Sequence, residues 1–149
     1  EGRAGREGAM MKAHPRVMCA TMLERLREWQ GKGLEIMAAT EFEFTIGRWS
    51  PEGEAGECFV PLYATTNTFA TLELRRTQDM LFELEAMLRC VGIEVETMHT
   101  EYGQGQVEVT VKPAMGMRYA DLAFTFKTAV KEFFQSKGLA ATFLTSPVL

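Results

Sequence analysis

Histidine and cysteine are scarce in this chain, which limits the metal and redox chemistry that it can carry. The 149 residues include two histidines and three cysteines, and no two cysteines form a Cys-x-x-Cys pair. A zinc site built from several histidines is therefore excluded. Free thiols are the simplest interpretation of the cysteines, and they indicate a reducing compartment, so we expect a cytoplasmic protein.

The chain also lacks a long apolar run and an excess of basic residues. No stretch approaches the ~18 consecutive apolar residues that suggest a membrane span. The 16 Lys and Arg residues are scattered and are outnumbered by 20 Asp and Glu residues, which gives a net charge of −4. Nucleic-acid-binding domains usually carry a basic stripe. We therefore expect neither a membrane nor a nucleic acid as a partner.

The length predicts one domain preceded by a short tail. A chain of 149 residues is close to the size of a single domain. Residues 1–14 are rich in glycine and charge and show no periodicity, which predicts a flexible tail or linker. Residues 15–149 are then the folded part.

Apolar residues spaced three and four apart predict three amphipathic helices. The predicted ranges are 15–30, 77–90 and 120–137. Thr77 is the predicted N-cap of the second helix. Cys19 and Cys90 fall in the apolar stripes of the first and second helices, so we predict that both are core residues rather than nucleophiles.

Apolar and polar residues alternate in several segments, which predicts strands. The predicted strands are 34–46, 93–100, 106–111 and 140–144. Residues 47–70 contain several glycines and prolines and are predicted to be a long irregular connection with one short strand near 58–62. Short turns between strands, combined with helices, predict an α+β fold in which helices pack on a largely antiparallel sheet.

Four glutamates stand out on the predicted strands. Glu41 and Glu43 project from one face of their strand, and Glu101 and Glu108 flank a glycine-rich turn. Such carboxylates would suit Mg²⁺ or Mn²⁺, which prefer oxygen ligands. Alternating Glu and Phe is equally typical of a strand with one solvated face, so both interpretations stay open. His99 is interpreted as an ordinary strand histidine that could orient Glu101.

The same segments resemble the catalytic domain of the glutamine synthetase family. Residues 41–43 resemble its Glu-x-Glu-Phe strand, and residues 99–108 (HTEYGQGQVE) resemble its His-x-Glu-x-Gly-Pro-Gly-Gln-x-Glu segment. Residues 120–127 and 138–143 resemble the helix and strand that follow. The order and separation agree over residues 15–145, so residues 15–149 resemble the N-terminal portion of that domain.

The resemblance implies an ATP- and divalent-metal-dependent ligase that joins ammonia or another amine to glutamate. It implies that Glu43, Glu101 and Glu108 hold one Mg²⁺ or Mn²⁺ and that Glu41 contributes to a second metal on the phosphates of ATP, the co-substrate. These glutamates are then expected to face a site rather than bulk water. The resemblance assigns no catalytic residue within this chain, and it implies a homo-oligomer for the full-length protein.

Some positions depart from the family pattern. Ser146 stands where the family has a lysine, Gln104 replaces a proline, and Thr100 replaces a frequent histidine. At these positions the sequence resembles the lengsin branch of the family, which implies an alternative function as a non-catalytic structural or scaffold protein with the same fold. Later nucleotide-binding segments of the family have no counterpart before Leu149, so the 149 residues alone are expected to be inactive.

Overall fold

The computed structural model describes residues 14–53, 56–64 and 67–145. The predicted tail up to residue 13 and the departure at Ser146 lie outside these residues. The described elements are, in chain order, α1 (Pro15–Glu28), a 3₁₀ turn (Trp29–Gly31), β1 (Met37–Ala38), β2 (Glu41–Gly53), β3 (Gly56–Pro61), α2 (Thr71–Cys90), β4 (Val95–Thr100), β5 (Gln106–Val111), β6 (Ala114–Met115), α3 (Met117–Ser136) and β7 (Ala140–Thr142). No helix among the described residues is long and apolar enough to cross a membrane.

The chain divides into two units, residues 1–38 with 113–121 and residues 39–112 with 122–149. In the first unit, α1 begins where the His14 imidazole accepts the backbone N–H of Arg16 at 3.3 Å. Only Leu23 of α1 is buried. The prediction that Cys19 is a core residue is wrong, because Cys19 is exposed. Beside α1, the described part of this unit contains the 3₁₀ turn, the short antiparallel ribbon of β1 and β6 and the first residues of α3.

The second unit is built on an antiparallel sheet in which β2 is central. The strand order is β3-β2-β5-β4, and β7 also pairs with β2. Thr45 of β2 pairs with both Gln106 of β5 and Thr142 of β7, so β5 and β7 lie on opposite sides of β2. This topology confirms the predicted α+β fold with a largely antiparallel sheet.

One face of this sheet forms the core, as the alternation predicts. Apolar side chains of β2 and β5 pack against α2 and the part of α3 that lies in this unit. Phe42 stacks on Phe126 with ring centroids 4.1 Å apart, and Phe44 contacts Phe134 at 5.9 Å. The fully buried members of the cluster include Ile46, Leu84, Leu88, Val107, Val109 and Val130. The polar residues of the same strands are therefore turned to the opposite face.

Two predicted boundaries are wrong. The strand predicted over 34–46 is two strands, β1 and β2, and β2 continues to Gly53. It forms a hairpin with β3, which confirms the short strand predicted near 58–62 within the connection. A register shift between Ser50 and Gly53 accommodates residues that break strict alternation.

The second helix also differs from its predicted form. It begins at Thr71, so the prediction that Thr77 is its N-cap is wrong. Thr77 is a buried residue in the interior of the helix, and its hydroxyl donates to the Glu73 carbonyl at 3.1 Å. Cys90 is the last residue of α2 and is exposed, so the prediction that it is a core residue is wrong.

Candidate metal centre

The polar face of the sheet carries a row of ionisable side chains from three neighbouring strands. Strand register places Glu43 of β2 directly opposite Glu108 of β5, and Glu108 directly opposite His99 of β4. Directly opposed residues share a face and have Cβ atoms ~5 Å apart. The fold therefore brings together residues that are separated by more than sixty positions in the sequence.

His99 links two of the predicted carboxylates. Its Nδ1 lies 3.5 Å from Oε1 of Glu101, and its Nε2 lies 3.2 Å from Oε1 of Glu108. The side chains of all three residues are only 15–16% exposed. One ligand atom from each of these residues lies within 4.8 Å of the other two. Among the described residues, this is the one such group of three or more His, Cys, Asp or Glu side chains.

The donor set of this group fits a divalent cation. Glu43 and Glu108 face each other across the strand pair, and like charges directly opposite one another are destabilising. Glu108 is only 15% exposed, which weakens the screening that water would provide there, whereas Glu43 is exposed. Carboxylate oxygens are the ligands that Mg²⁺ and Mn²⁺ prefer, whereas an imidazole nitrogen is more typical of zinc, copper, iron or nickel sites. A bound cation would therefore relieve the repulsion between the carboxylates.

The four predicted glutamates have different positions relative to this group. Glu101 and Glu108 belong to it, and Glu43 lies beside Glu108 and accepts a hydrogen bond from Nε2 of Gln106 at 2.7 Å. Glu41 is exposed and lies opposite Thr110, one step along the same face. Glu41 and Glu43 are both exposed and both lie outside the group of converging ligand atoms.

The turn after β4 fixes the position of Glu101. The backbone N–H of Glu101 donates to the Gln106 carbonyl at 3.0 Å, and its carboxylate accepts the N–H of Tyr102 at 3.1 Å. Gly105 adopts a φ of +64°, and a Cβ there would lie 2.6 Å from the carbonyl oxygen of Ile46. Only glycine satisfies both the backbone conformation and this close approach.

The loop before α2 is hydrogen-bonded to Thr100, the last residue of β4. Thr100 is buried, its carbonyl accepts the Phe69 N–H at 3.0 Å, and its hydroxyl accepts the Ala70 N–H at 2.7 Å. These bonds hold the Phe69 ring against the His99 imidazole, with centroids 4.6 Å apart. Phe69 has a φ of 53°, which is uncommon for a residue with a bulky side chain. The loop thus restricts the orientation of His99.

The prediction of the site from the sequence was incomplete for three residues. His99 was interpreted as an ordinary strand residue that could orient Glu101, and its spacing of two from Glu101 places both on one side of an extended chain. Its contact with Glu108 was not predicted. Gln106 carried no signal, since a glutamine beside a glycine-rich turn is common. Phe69 could not be connected with His99 because their contact depends on the fold.

Together, the fold and the carboxylate-lined face define an α+β domain with a candidate site for a divalent cation. Residues 12–149 match the family model described as the catalytic domain of glutamine synthetase. The chain therefore belongs to this family.

Known relatives support the same assignment. The chain is 26% identical to a glutamate–isopropylamine ligase of Pseudomonas sp, over 94% of this chain and 30% of the relative. It is 31% identical to a glutamine synthetase of Methanococcus voltae, over 95% of this chain and 30% of the relative. A crystal structure described as a novel glutamine synthase homolog is 32% identical, with a TM-score of 0.67, over 87% of this chain and 27% of the other. The chain thus spans about 30% of the length of the curated relatives it matches.

Proposed function

We propose that this chain supplies the metal-binding part of an ATP-dependent glutamate ligase. Glu43, Glu101 and Glu108 would hold one Mg²⁺ or Mn²⁺ beside His99, and Glu41 would contribute to a second. The observation that carries the proposal is the convergence of His99, Glu101 and Glu108 on the polar face of a glutamine synthetase catalytic fold.

For the whole protein, the proposed reaction is amide formation from glutamate and ammonia or another amine, with ATP as co-substrate. Bound divalent cations neutralise phosphate charge and orient the transferring phosphoryl group in reactions of this class. This chain contributes the partly buried carboxylates of Glu101 and Glu108 and the exposed carboxylates of Glu41 and Glu43. The turn at Glu101 and the loop that holds His99 orient the partly buried pair. The expected homo-oligomeric state and cytoplasmic location belong to this proposal.

Metal binding by this chain tests the first part of the proposal. We expect isothermal titration calorimetry to show binding of Mn²⁺ and Glu108→Gln to weaken it at least tenfold, because a charged ligand is lost. Glu132→Gln makes the same charge change at an exposed position of α3 and should bind like the wild type. Equal affinities of all three proteins would contradict the proposed site.

Catalysis is tested in a protein of the relatives' length. We expect γ-glutamyl hydroxamate formation from glutamate, hydroxylamine, ATP and Mn²⁺, and its loss in Glu108→Gln. We expect the 149 residues alone to give no product, and turnover by them would contradict that expectation. A correctly assembled protein that turns over no amine would contradict the proposed reaction.

A non-catalytic scaffold of the lengsin type is the second candidate function. It is favoured by Ser146, which replaces the family's lysine and lies outside the described residues. Calorimetry with ATP and Mn²⁺ on the longer protein separates the two. Tight binding of both would count against a purely structural function, and binding of neither would favour it.

A further inference from the structure

We propose that Gln106 is a positioning residue that holds the Glu43 carboxylate in place for the cation and couples it to the turn that carries Glu101. This inference rests on the function proposed above. Gln106 is the first residue of β5 and lies between Glu43 and the turn. Its side chain makes one hydrogen bond in each direction.

Chemistry determines the orientation of the Gln106 amide. Its Oε1 accepts the backbone N–H of Gly103 at 2.7 Å, and its Nε2 donates to Oε2 of Glu43 at 2.7 Å. A backbone N–H requires an acceptor and an ionised carboxylate requires a donor. The reversed amide would satisfy neither partner, so the side chain has one acceptable orientation.

The turn leaves space for this amide. A Cβ on Gly103 would lie 2.6 Å from Oε1 of Gln106, so a residue with a side chain at this position would displace the amide. The Gln106 amide therefore occupies space that is available because residue 103 is a glycine. The backbone N–H that the amide accepts comes from the same glycine.

The main chain of Gln106 is also held. Its carbonyl accepts the Tyr63 hydroxyl at 3.1 Å and the Glu101 N–H at 3.0 Å. Burial, and secondly the charge of Glu73, raise the pKa of Tyr63 to about 12, so the phenol remains a donor near neutral pH. Gln106 is therefore anchored independently of Glu43 and can serve as a fixed support.

A support is needed because Glu43 faces Glu108 directly across the strand pair. An exposed glutamate repelled by its neighbour would rotate toward solvent and away from the site. The hydrogen bond from Gln106 uses one oxygen of Glu43 and leaves the other for the cation. Hydrogen bonds of this kind to metal ligands are typically worth about 10- to 100-fold in metal affinity.

The test compares Gln106→Met with Gln104→Met, the same substitution at an exposed glutamine of the same turn. Isothermal titration calorimetry with Mn²⁺ should show a Kd about 10- to 100-fold higher for Gln106→Met and a Kd within twofold of wild type for Gln104→Met. Because Gln106 acts through Glu43, adding Gln106→Met to Glu43→Gln should weaken binding by less than twofold.

A metal-free measurement gives a second readout. In ¹H–¹⁵N NMR spectra recorded in EDTA, Glu43→Gln should shift the side-chain amide signals of Gln106 and leave those of Gln104 unchanged. An unshifted Gln106 signal, or an unchanged Kd for Gln106→Met with normal Mn²⁺ binding by the wild type, would refute this role alone. Additive losses in the double variant would also refute it. Absence of Mn²⁺ binding by the wild type would refute the proposed function and this role together.

Discussion

The substitution Glu43→Gln should leave the stability of this domain nearly unchanged without metal and should lower it when metal is bound. Without metal, the substitution removes repulsion from Glu108, which amounts to about 0.7 kcal/mol for charges ~6 Å apart in a medium like water. It also replaces a charge-assisted hydrogen bond from Gln106 with a neutral one, which is roughly half as strong. These two effects oppose each other, so the free energy of unfolding in EDTA should stay within about 0.5 kcal/mol of wild type.

With Mn²⁺ the difference should become large. A ligand at 100 times its Kd stabilises the folded state by about 2.7 kcal/mol. If the substitution weakens binding about a hundredfold, the same Mn²⁺ concentration equals the new Kd and contributes only about 0.4 kcal/mol. The wild type should then be more stable by about 2.3 kcal/mol, which corresponds to a Tm difference of about 5–9 °C for a domain of this size.

Thermal unfolding followed by circular dichroism, in EDTA and in Mn²⁺, measures both effects on the same samples. Loss of more than 1 kcal/mol in EDTA would show that Glu43 has a structural function beyond its bond to Gln106. An equal gain from Mn²⁺ in the wild type and the variant would show that Glu43 does not bind the cation. Glu132→Gln should follow the wild type under both conditions, since this exposed glutamate lies on α3.

Three further predictions concern the fold. Phe126→Ala removes a fully buried ring that stacks on Phe42, and it should lower the free energy of unfolding, measured in urea, by about 3–5 kcal/mol. The control Phe124→Ala removes a ring that is 75% exposed and should lower the free energy of unfolding by less than about 0.5 kcal/mol. Gln30→Gly relieves a φ of 54° and should raise the Tm, with a gain of up to about 1 kcal/mol; a lower Tm would contradict this. Since the folded-state pKa of Tyr63 is raised from 10.0 to about 12, its contribution to stability is complete below pH 10 and is lost as the pH rises to 12. Tyr63→Phe should therefore reduce the loss of stability over that range in alkaline melts, and an unchanged profile would contradict the assignment.

The alternation of apolar and polar residues predicted correctly which face of the central strand is buried. The alternation of Phe42 and Phe44 with Glu41 and Glu43 gave the two faces of β2 correctly, because a sheet with one helical layer buries one face. The apolar stripe of α1 also follows the helical period, yet Leu23 is its only buried residue. Periodicity indicates which side of a helix is apolar and contains no information about what covers it.

The site depends on register, which a single strand does not encode. Glu41 and Glu43 are equivalent in the sequence pattern, but pairing places Glu43 opposite Glu108 and Glu41 opposite Thr110. A shift of one residue would turn every side chain of a strand to the other face. The alternation alone therefore predicts candidate ligands without distinguishing Glu41 from Glu43, and only the resemblance assigned them to different metals.

A bulge in β4 explains why the contact between His99 and Glu108 was not predicted. Val95 pairs with Val111 and Thr97 pairs with Thr110, so the bulged strand has one extra residue between these pairs. With uninterrupted pairing from Val95, His99 would lie opposite Val107 on the core face. The extra residue reverses the alternation and brings His99 opposite Glu108 instead. Bulges re-aim side chains near functional sites, and here one bulge turns His99 toward two of the predicted glutamates.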